Sequence, residues 1–91
     1  MIFEWDEQKN HINFEKHGIP FEYASRVFID EHRIEWIDSR KEYKEVRCVT
    51  MGTIENRVFV VVFTQRENIK RLISARKANE RETRKYYEIH T

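Results

Sequence analysis

The run VFVVVF, Val58 to Phe63, sets six apolar residues side by side in a chain of which 36% is charged. A strand with one face in water alternates apolar and polar residues, and the alternation disappears only where neither face is wet. Valine and phenylalanine also favour extended backbone. The run therefore predicts a central strand buried on both faces, and at six residues it is far shorter than the roughly 20 needed to span a bilayer.

On either side of this run the period stays at two. RIEWID (33–38), YKEVRCVTMG (43–52), RVFVVVFT (57–64) and IKRLISAR (69–76) read as four strands. They are joined by short segments containing Asp38 and Ser39, Thr53 to Asn56, and Gln65 to Asn68. Connections this short favour an antiparallel meander. Strict alternation puts Tyr43, Glu45, Arg47, Val49 and Met51 on one side of their strand and Leu72, Ser74 and Arg76 on one side of theirs, with Arg71 on the face opposite Arg76.

Before the sheet, Asp6 is a candidate N-cap for a helix over Lys9 to Lys16 that stops at Gly18. One stripe of this helix carries Asn10, Asn13, Phe14 and His17, a single large apolar residue among three polar ones. That is an unusual face to bury. Pro20 opens a second short helix, Pro20 to Phe28, and a last helix runs from Ala78 to Ile89 with Ala78, Tyr86 and Ile89 on its apolar side. The expected architecture is α+β: two N-terminal helices, a four-stranded antiparallel sheet and a C-terminal helix. The helices pack on one face of the sheet, and residues 1–91 form a single domain.

Seventeen Lys and Arg nearly cancel sixteen Asp and Glu, so bulk charge supplies no strong nonspecific affinity for nucleic acid. Affinity for phosphate would have to come from local grouping of arginine, which is commoner in the C-terminal half. The one cysteine, Cys48, and the absence of a basic, then apolar, N-terminal segment lead to an expected cytoplasmic protein with no membrane association. No two of the four histidines stand three or four residues apart, Cys48 has no C-x-x-C partner, and no phosphate-loop, dinucleotide or nucleophile-elbow motif occurs. No metal or cofactor is expected. Arg, Lys, His, Tyr and Glu on a small sheet suffice for metal-independent RNA cleavage, in which a base deprotonates the 2′-hydroxyl and cations stabilise the phosphate oxygens. The same residues serve equally as a solvated surface.

FEWDEQKNHINFEKHGIPFEYASRVFID, DSRKEYKEVRCVTMG and TQRENIKRLISARKANERETRKYYE together resemble the BrnT family of bacterial type II toxins over nearly the whole chain. The elements FEWD, KHG, Y-x-E-x-R, T-x-R, R-x-I-S-A-R and E-R-x-x-x-x-Y carry that resemblance. It implies a RelE-like ribonuclease fold and growth arrest by RNA cleavage. It also implies neutralisation, in a hetero-oligomer, by a BrnA-type antitoxin whose ribbon-helix-helix domain makes the only contact with DNA. RNA recognition would rest on shape, sequence context or a ribosome.

Carried onto this chain, the resemblance points to His17, Glu45, Arg47, Arg66 and Arg76 as catalytic residues and to Lys16, Arg71, Arg81 and Tyr86 as substrate-binding residues. Arg47, Arg66 and Arg76 would hold phosphate, and His17 or Glu45 would move the proton. Each has a plainer reading. His17 could bond a backbone carbonyl at a helix end, Glu45 and Arg47 could pair on one face, Arg81 could pair with Glu80, Ser74 could be a buried hydroxyl, and Tyr86 could be core. Arg66 lies near its turn and Arg76 far from it, so strand reasoning does not bring both into one site. The rival function is a noncatalytic protein-binding module that acts with a DNA-binding partner in transcriptional control.

Overall fold

The run at residues 58–63 is the centre of the fold. A computed structural model describes residues 1–39 and 44–90. In it β1 (Ile2–Trp5), β2 (Ile34–Ile37), β3 (Arg47–Ile54), β4 (Arg57–Arg66) and β5 (Ile69–Lys77) form one sheet in the order β1-β5-β4-β3-β2. β4 is thus the middle strand. Val58 and Val60 enter a core cluster on one face and Phe59, Val61 and Phe63 a larger one on the other.

The sheet has five strands of mixed direction, which corrects the expected four-stranded antiparallel meander. β2 to β5 are antiparallel neighbours, but β1 adds at the far edge in parallel with β5, from Ile2 opposite Ile69 to Trp5 opposite Leu72. Four residues are too few for a period to emerge, and a parallel neighbour requires a long crossover, here everything between β1 and β5. The strand expected from Tyr43 is regular from Arg47, and Tyr43 lies outside the described residues. β3 turns into β4 through Glu55 and Asn56, both at positive φ (50° and 68°), as a two-residue turn with the right-handed twist of a hairpin requires.

Helix α1 (Glu7–His17) is capped by Asp6, whose carboxylate accepts from the backbone N–H groups of Gln8 and Lys9, and it ends at Gly18 in the left-handed region. A short α2 (Phe21–Ala24) runs into a 3-10 helix (Ser25–Ile29) where one continuous helix to Phe28 was expected. Phe21, Ala24, Val27 and Phe28 pack on the Phe59, Val61 and Phe63 face. The 3-10 helix comes so close to β3 that a Cβ on Gly52 would meet Val27 Cγ2 at 2.9 Å.

The polar stripe of α1 now has a cause. β1 stops at Trp5 opposite Leu72, leaving the edge of β5 that faces away from β4 without a strand neighbour beyond that point. Asn13, 7% exposed, fills the gap: its Oδ1 accepts from Ala75 N–H and its Nδ2 donates to Ala75 O and to Ile19 O. Asn10 Oδ1 accepts from Phe21 N–H, tying α2 to α1. The stripe is a hydrogen-bonding surface for a sheet edge.

Helix α3 (Glu80–Ile89) begins two residues later than expected, because Asn79 and Glu82 form a capping box around its start. It also corrects the expectation that all helices share one face. Tyr86, 4% exposed, packs with Val49, Met51, Val58 and Val60, the face away from α1 and α2. Its covering ends near Val62, which is only partly buried. From there the sheet face is open.

Candidate active site

The open part of that face is ruled by three rows of residues in register. Arg47, Thr64 and Arg71 lie side by side across β3, β4 and β5; Val49, Val62 and Ser74 form the next row; Met51, Val60 and Arg76 the third. Registered neighbours in a sheet point the same way, so all three rows share one face.

Arg71 and Arg76 therefore share a face, against the expectation that they would oppose each other, and Leu72 does not share the face of Ser74 and Arg76. The cause is a β-bulge. Val62 pairs with Ser74 but Phe63 pairs with Leu72, so Ile73 is an extra residue on β5. One inserted residue reverses the side on which everything before it points. Leu72 joins Ala75 in the core on the far side, and Arg71 swings onto the open face.

A cleft of about 250 Å³ lies over the first row, lined by Lys9, Lys44, Glu45, Arg47, Thr64, Arg71 and Ile73. Four cations and one carboxylate thus meet in a chain of net charge +1. Glu45 accepts two hydrogen bonds from Arg66, Nε at 2.8 Å and Nη2 in a closer contact. These bonds hold the Glu45 carboxyl below its usual value despite some desolvation, and the charge of Arg71 works in the same direction. Arg71 Nη1 also reaches Glu4 on β1 at 2.8 Å.

Thr64 forms the floor. It is 5% exposed, and its hydroxyl is buried with no hydrogen-bond partner among the described residues. A buried hydroxyl left unpaired costs about 1–3 kcal/mol; Thr50 in the core carries another, and Thr64 differs in standing in register between two arginines under a cleft. Nothing in the alternation pattern singled out Thr64, Lys9 or Lys44. Their only sequence signal is adjacency, Thr64 opening T-x-R and Lys44 lying inside Y-x-E-x-R.

The other expected residues go elsewhere. Arg76 lines a second, larger cleft and makes two 2.8 Å bonds to Glu82 of α3, lowering the pKa of that carboxyl. His17 and Lys16 stand in the last turn of α1, where positive charge complements the helix dipole, and neither lines the cleft over Thr64. Arg81 is exposed on α3. Tyr86 is core: its hydroxyl donates to Asp30, and burial, with that bond, pushes its pKa up to about 12.

The model of the family described as "Ribonuclease toxin, BrnT, of type II toxin-antitoxin system" matches residues 5–82. The chain belongs to the BrnT family. It is a ribonuclease toxin, the half of a toxin-antitoxin pair that an antitoxin neutralises, so the noncatalytic alternative falls away. No curated protein matches the chain. The matched span holds every residue lining the cleft over Thr64 and also Arg66, Arg76 and Glu82, while Glu4 and Tyr86 fall outside it.

Two carboxylates hold α3 of this BrnT-family toxin over the sheet. Desolvation pushes the Asp30 carboxyl up, but hydrogen bonds from Tyr86, Thr53 and His32 outweigh it and leave its pKa lowered. Glu82 is lowered chiefly by Arg76. A carboxyl depressed in the folded state contributes stability that is complete above its unfolded value and is lost as pH falls through its folded one. The urea midpoint should stay level from pH 7 to about pH 5 and fall progressively below the ordinary values of 4.5 for Glu82 and 3.8 for Asp30. Asp30→Asn and Glu82→Gln should each flatten that acid limb, and an unchanged limb in both would show that these carboxylates do not anchor the helix.

Proposed function

We propose that the scissile phosphodiester binds over Thr64, between Arg47 and Arg71, and that cleavage needs no metal. The observation that carries this reading is the meeting of Arg47 and Arg71, in register on either side of Thr64, with Lys9, Lys44 and Glu45 around one cleft. Two guanidinium groups astride a phosphate match its oxygens in a way a single surface cation does not. The Thr64 O–H completes the set as a neutral donor from below.

In the proposed step the Glu45 carboxylate takes the proton of the 2′-hydroxyl as that oxygen attacks the adjacent phosphorus. The bond from phosphorus to the 5′-oxygen breaks, leaving a 2′,3′-cyclic phosphate and a 5′-hydroxyl. Arginine does not release protons in proteins, so Lys9 or Lys44 protonates the leaving oxygen. The bonds from Arg66 aim Glu45 and keep it ionised but also make it a weak base. The larger share of the rate must then come from the arginines, through charge that builds on the phosphate in the transition state. His17, Lys16, Arg76 and Arg81 have no part in this step.

The neutralising partner in this reading is a BrnA-type antitoxin with a ribbon-helix-helix domain, so that the hetero-oligomer reaches DNA only through it. Ile37 and Val46, both exposed apolar residues near the end of the sheet that carries the cleft, support an antitoxin segment lying there. The site of action is the cytoplasm, which suits the free thiol of Cys48; burial pushes the pKa of that thiol up. No helix among the described residues is long and apolar enough to cross a membrane.

RNA incubated with the purified toxin in EDTA should yield fragments ending in 2′,3′-cyclic phosphate. Cleavage that stops in EDTA and returns with Mg²⁺ would overturn the mechanism. Thr64→Val gives a sharper test because the two readouts should move apart. Removing an orphan hydroxyl should raise stability by about 1 kcal/mol, whereas losing a donor to an anion should slow cleavage roughly tenfold.

A further inference from the structure

Beside the phosphate site lies a cleft that the proposed chemistry does not use. It has a volume of about 360 Å³ and is lined by Trp36, Ile37, Asp38, Ser39, Val49, Val60, Val62, Ser74, Arg76 and Glu82. Its floor is apolar, made by Val49, Val60 and Val62 of the two central strands, and its rim is polar. The indole of Trp36 stands in register with Val49 on the edge strand, and at 44% exposure it leaves much of its surface to solvent. An apolar floor, an aromatic wall and a polar rim suit a flat heteroaromatic ring with a hydrogen-bonding edge.

The position selects among such rings. Val49 and Val62 are two residues along their strands from Arg47 and Thr64, and Ser74 is three from Arg71 across the bulge, so the two rows lie about 7 Å apart on the same face. That is comparable with the reach from a phosphodiester across its ribose to a base. Arg76 is held at the far side by its two bonds to Glu82, so the rim is fixed in place by the start of α3. Asp38 on the near side is 6% exposed, and its backbone N–H donates to Arg47 O at 2.8 Å, which ties the rim of this cleft to the strand that carries the phosphate site.

We propose that this cleft is a nucleobase subsite: an unstacked base next to the scissile phosphate lies on Val60 and Val62 against Trp36, its edge is read by Asp38, Ser74 and Arg76, and this sets which sequence is cut. The inference rests on the proposed phosphate site over Thr64. The substrate it implies is single-stranded, because a base inside a duplex keeps both its faces stacked and its edge paired. The role of Arg76 changes with it, from a phosphate ligand to part of the reader of a base.

Two measurements separate this inference from the reading beneath it. The first uses short single-stranded oligoribonucleotides that differ in the base at each position around the cut, one of them abasic. The wild-type toxin should prefer a base at one position beside the cut and should cleave the abasic substrate poorly. Stacking on an aromatic side chain is worth roughly ten- to a hundredfold in binding, so Trp36→Ala should raise KM by that factor, more than it lowers kcat, and erase the preference. The second measurement needs no cleavage. The chain has two tryptophans, so in a Trp5→Phe background the fluorescence of Trp36 reports alone. Nucleoside monophosphates should quench it and ribose 5-phosphate should not. A Trp36→Ala toxin with wild-type KM and preference, or quenching that ignores the base, overturns the subsite. Base-dependent quenching together with an absence of cleavage would instead remove the catalytic reading and leave the subsite standing.

Discussion

Arg71→Ala should slow RNA cleavage by about 10²- to 10³-fold while leaving the protein folded. Arg71 reaches the open face only because of the bulge at Ile73, and there it stands across Thr64 from Arg47. Removing one donor aimed at charge that develops in the transition state costs far more than removing a surface cation, because the remaining groups cannot reorganise to replace it. The loss should appear mainly in kcat. Stability should change little, since the pair that Arg71 makes with Glu4 is about one-third exposed on both sides, and such pairs contribute roughly 0–1 kcal/mol. Arg71→Lys should recover only part of the rate, because an ammonium restores charge without the planar fork. Arg81→Ala serves as comparison: exposed on α3 and away from the cleft, it should cost at least tenfold less than Arg71→Ala. Single-turnover kinetics with wild-type kcat for Arg71→Ala would remove the phosphate site from this face.

Asn13→Leu should destabilise the fold by about 3 kcal/mol, lowering Tm by on the order of 15 °C. The leucine is similar in size and more apolar, so a reading by hydrophobicity would predict a gain at a position only 7% exposed. The hydrogen bonds decide otherwise. Ala75 N–H and O and Ile19 O all bond to the Asn13 amide, and leucine leaves them buried without partners. Each such loss costs about 1–3 kcal/mol before relaxation. Urea unfolding followed by circular dichroism reads the effect directly, and an unchanged midpoint would mean that the edge of β5 finds its partners elsewhere. Asn13 is not among the residues lining the cleft over Thr64, so cleavage by the folded fraction should persist.

These two residues show how differently parts of this protein could be read in one dimension. Asn13 was visible as an anomaly: the α1 stripe of Asn10, Asn13, Phe14 and His17 was wrong for a buried face, and its meaning became clear once β1 was found to stop short of Ala75. Arg71 was visible as a family motif but was assigned to the wrong face, because strict alternation along RLISAR assumes that no residue is inserted. Thr64 was visible only as the first residue of the T-x-R element and carried no expected role, since a threonine ending an apolar run has nothing else local to distinguish it. Glu45 and Arg47 were expected two apart on one strand, but β3 begins at Arg47 with Glu45 before it, and the partner of Glu45 is Arg66, 21 residues away.

The sequence by itself determined the family, through motifs spread over nearly the whole chain, and also the central position of the VFVVVF strand, the antiparallel course of β2 to β5 and the caps of α1, because each of these last three depends on residues within a few positions of one another. Only the tertiary structure decided that β1 adds in parallel, that α3 covers the face opposite α1, and that Arg47, Thr64 and Arg71 form one row. The physical reason lies in the side-chain period of a strand. It is two, so a single extra residue exchanges the faces of everything before it, and whether a pairing absorbs that residue is settled by packing between strands rather than along one.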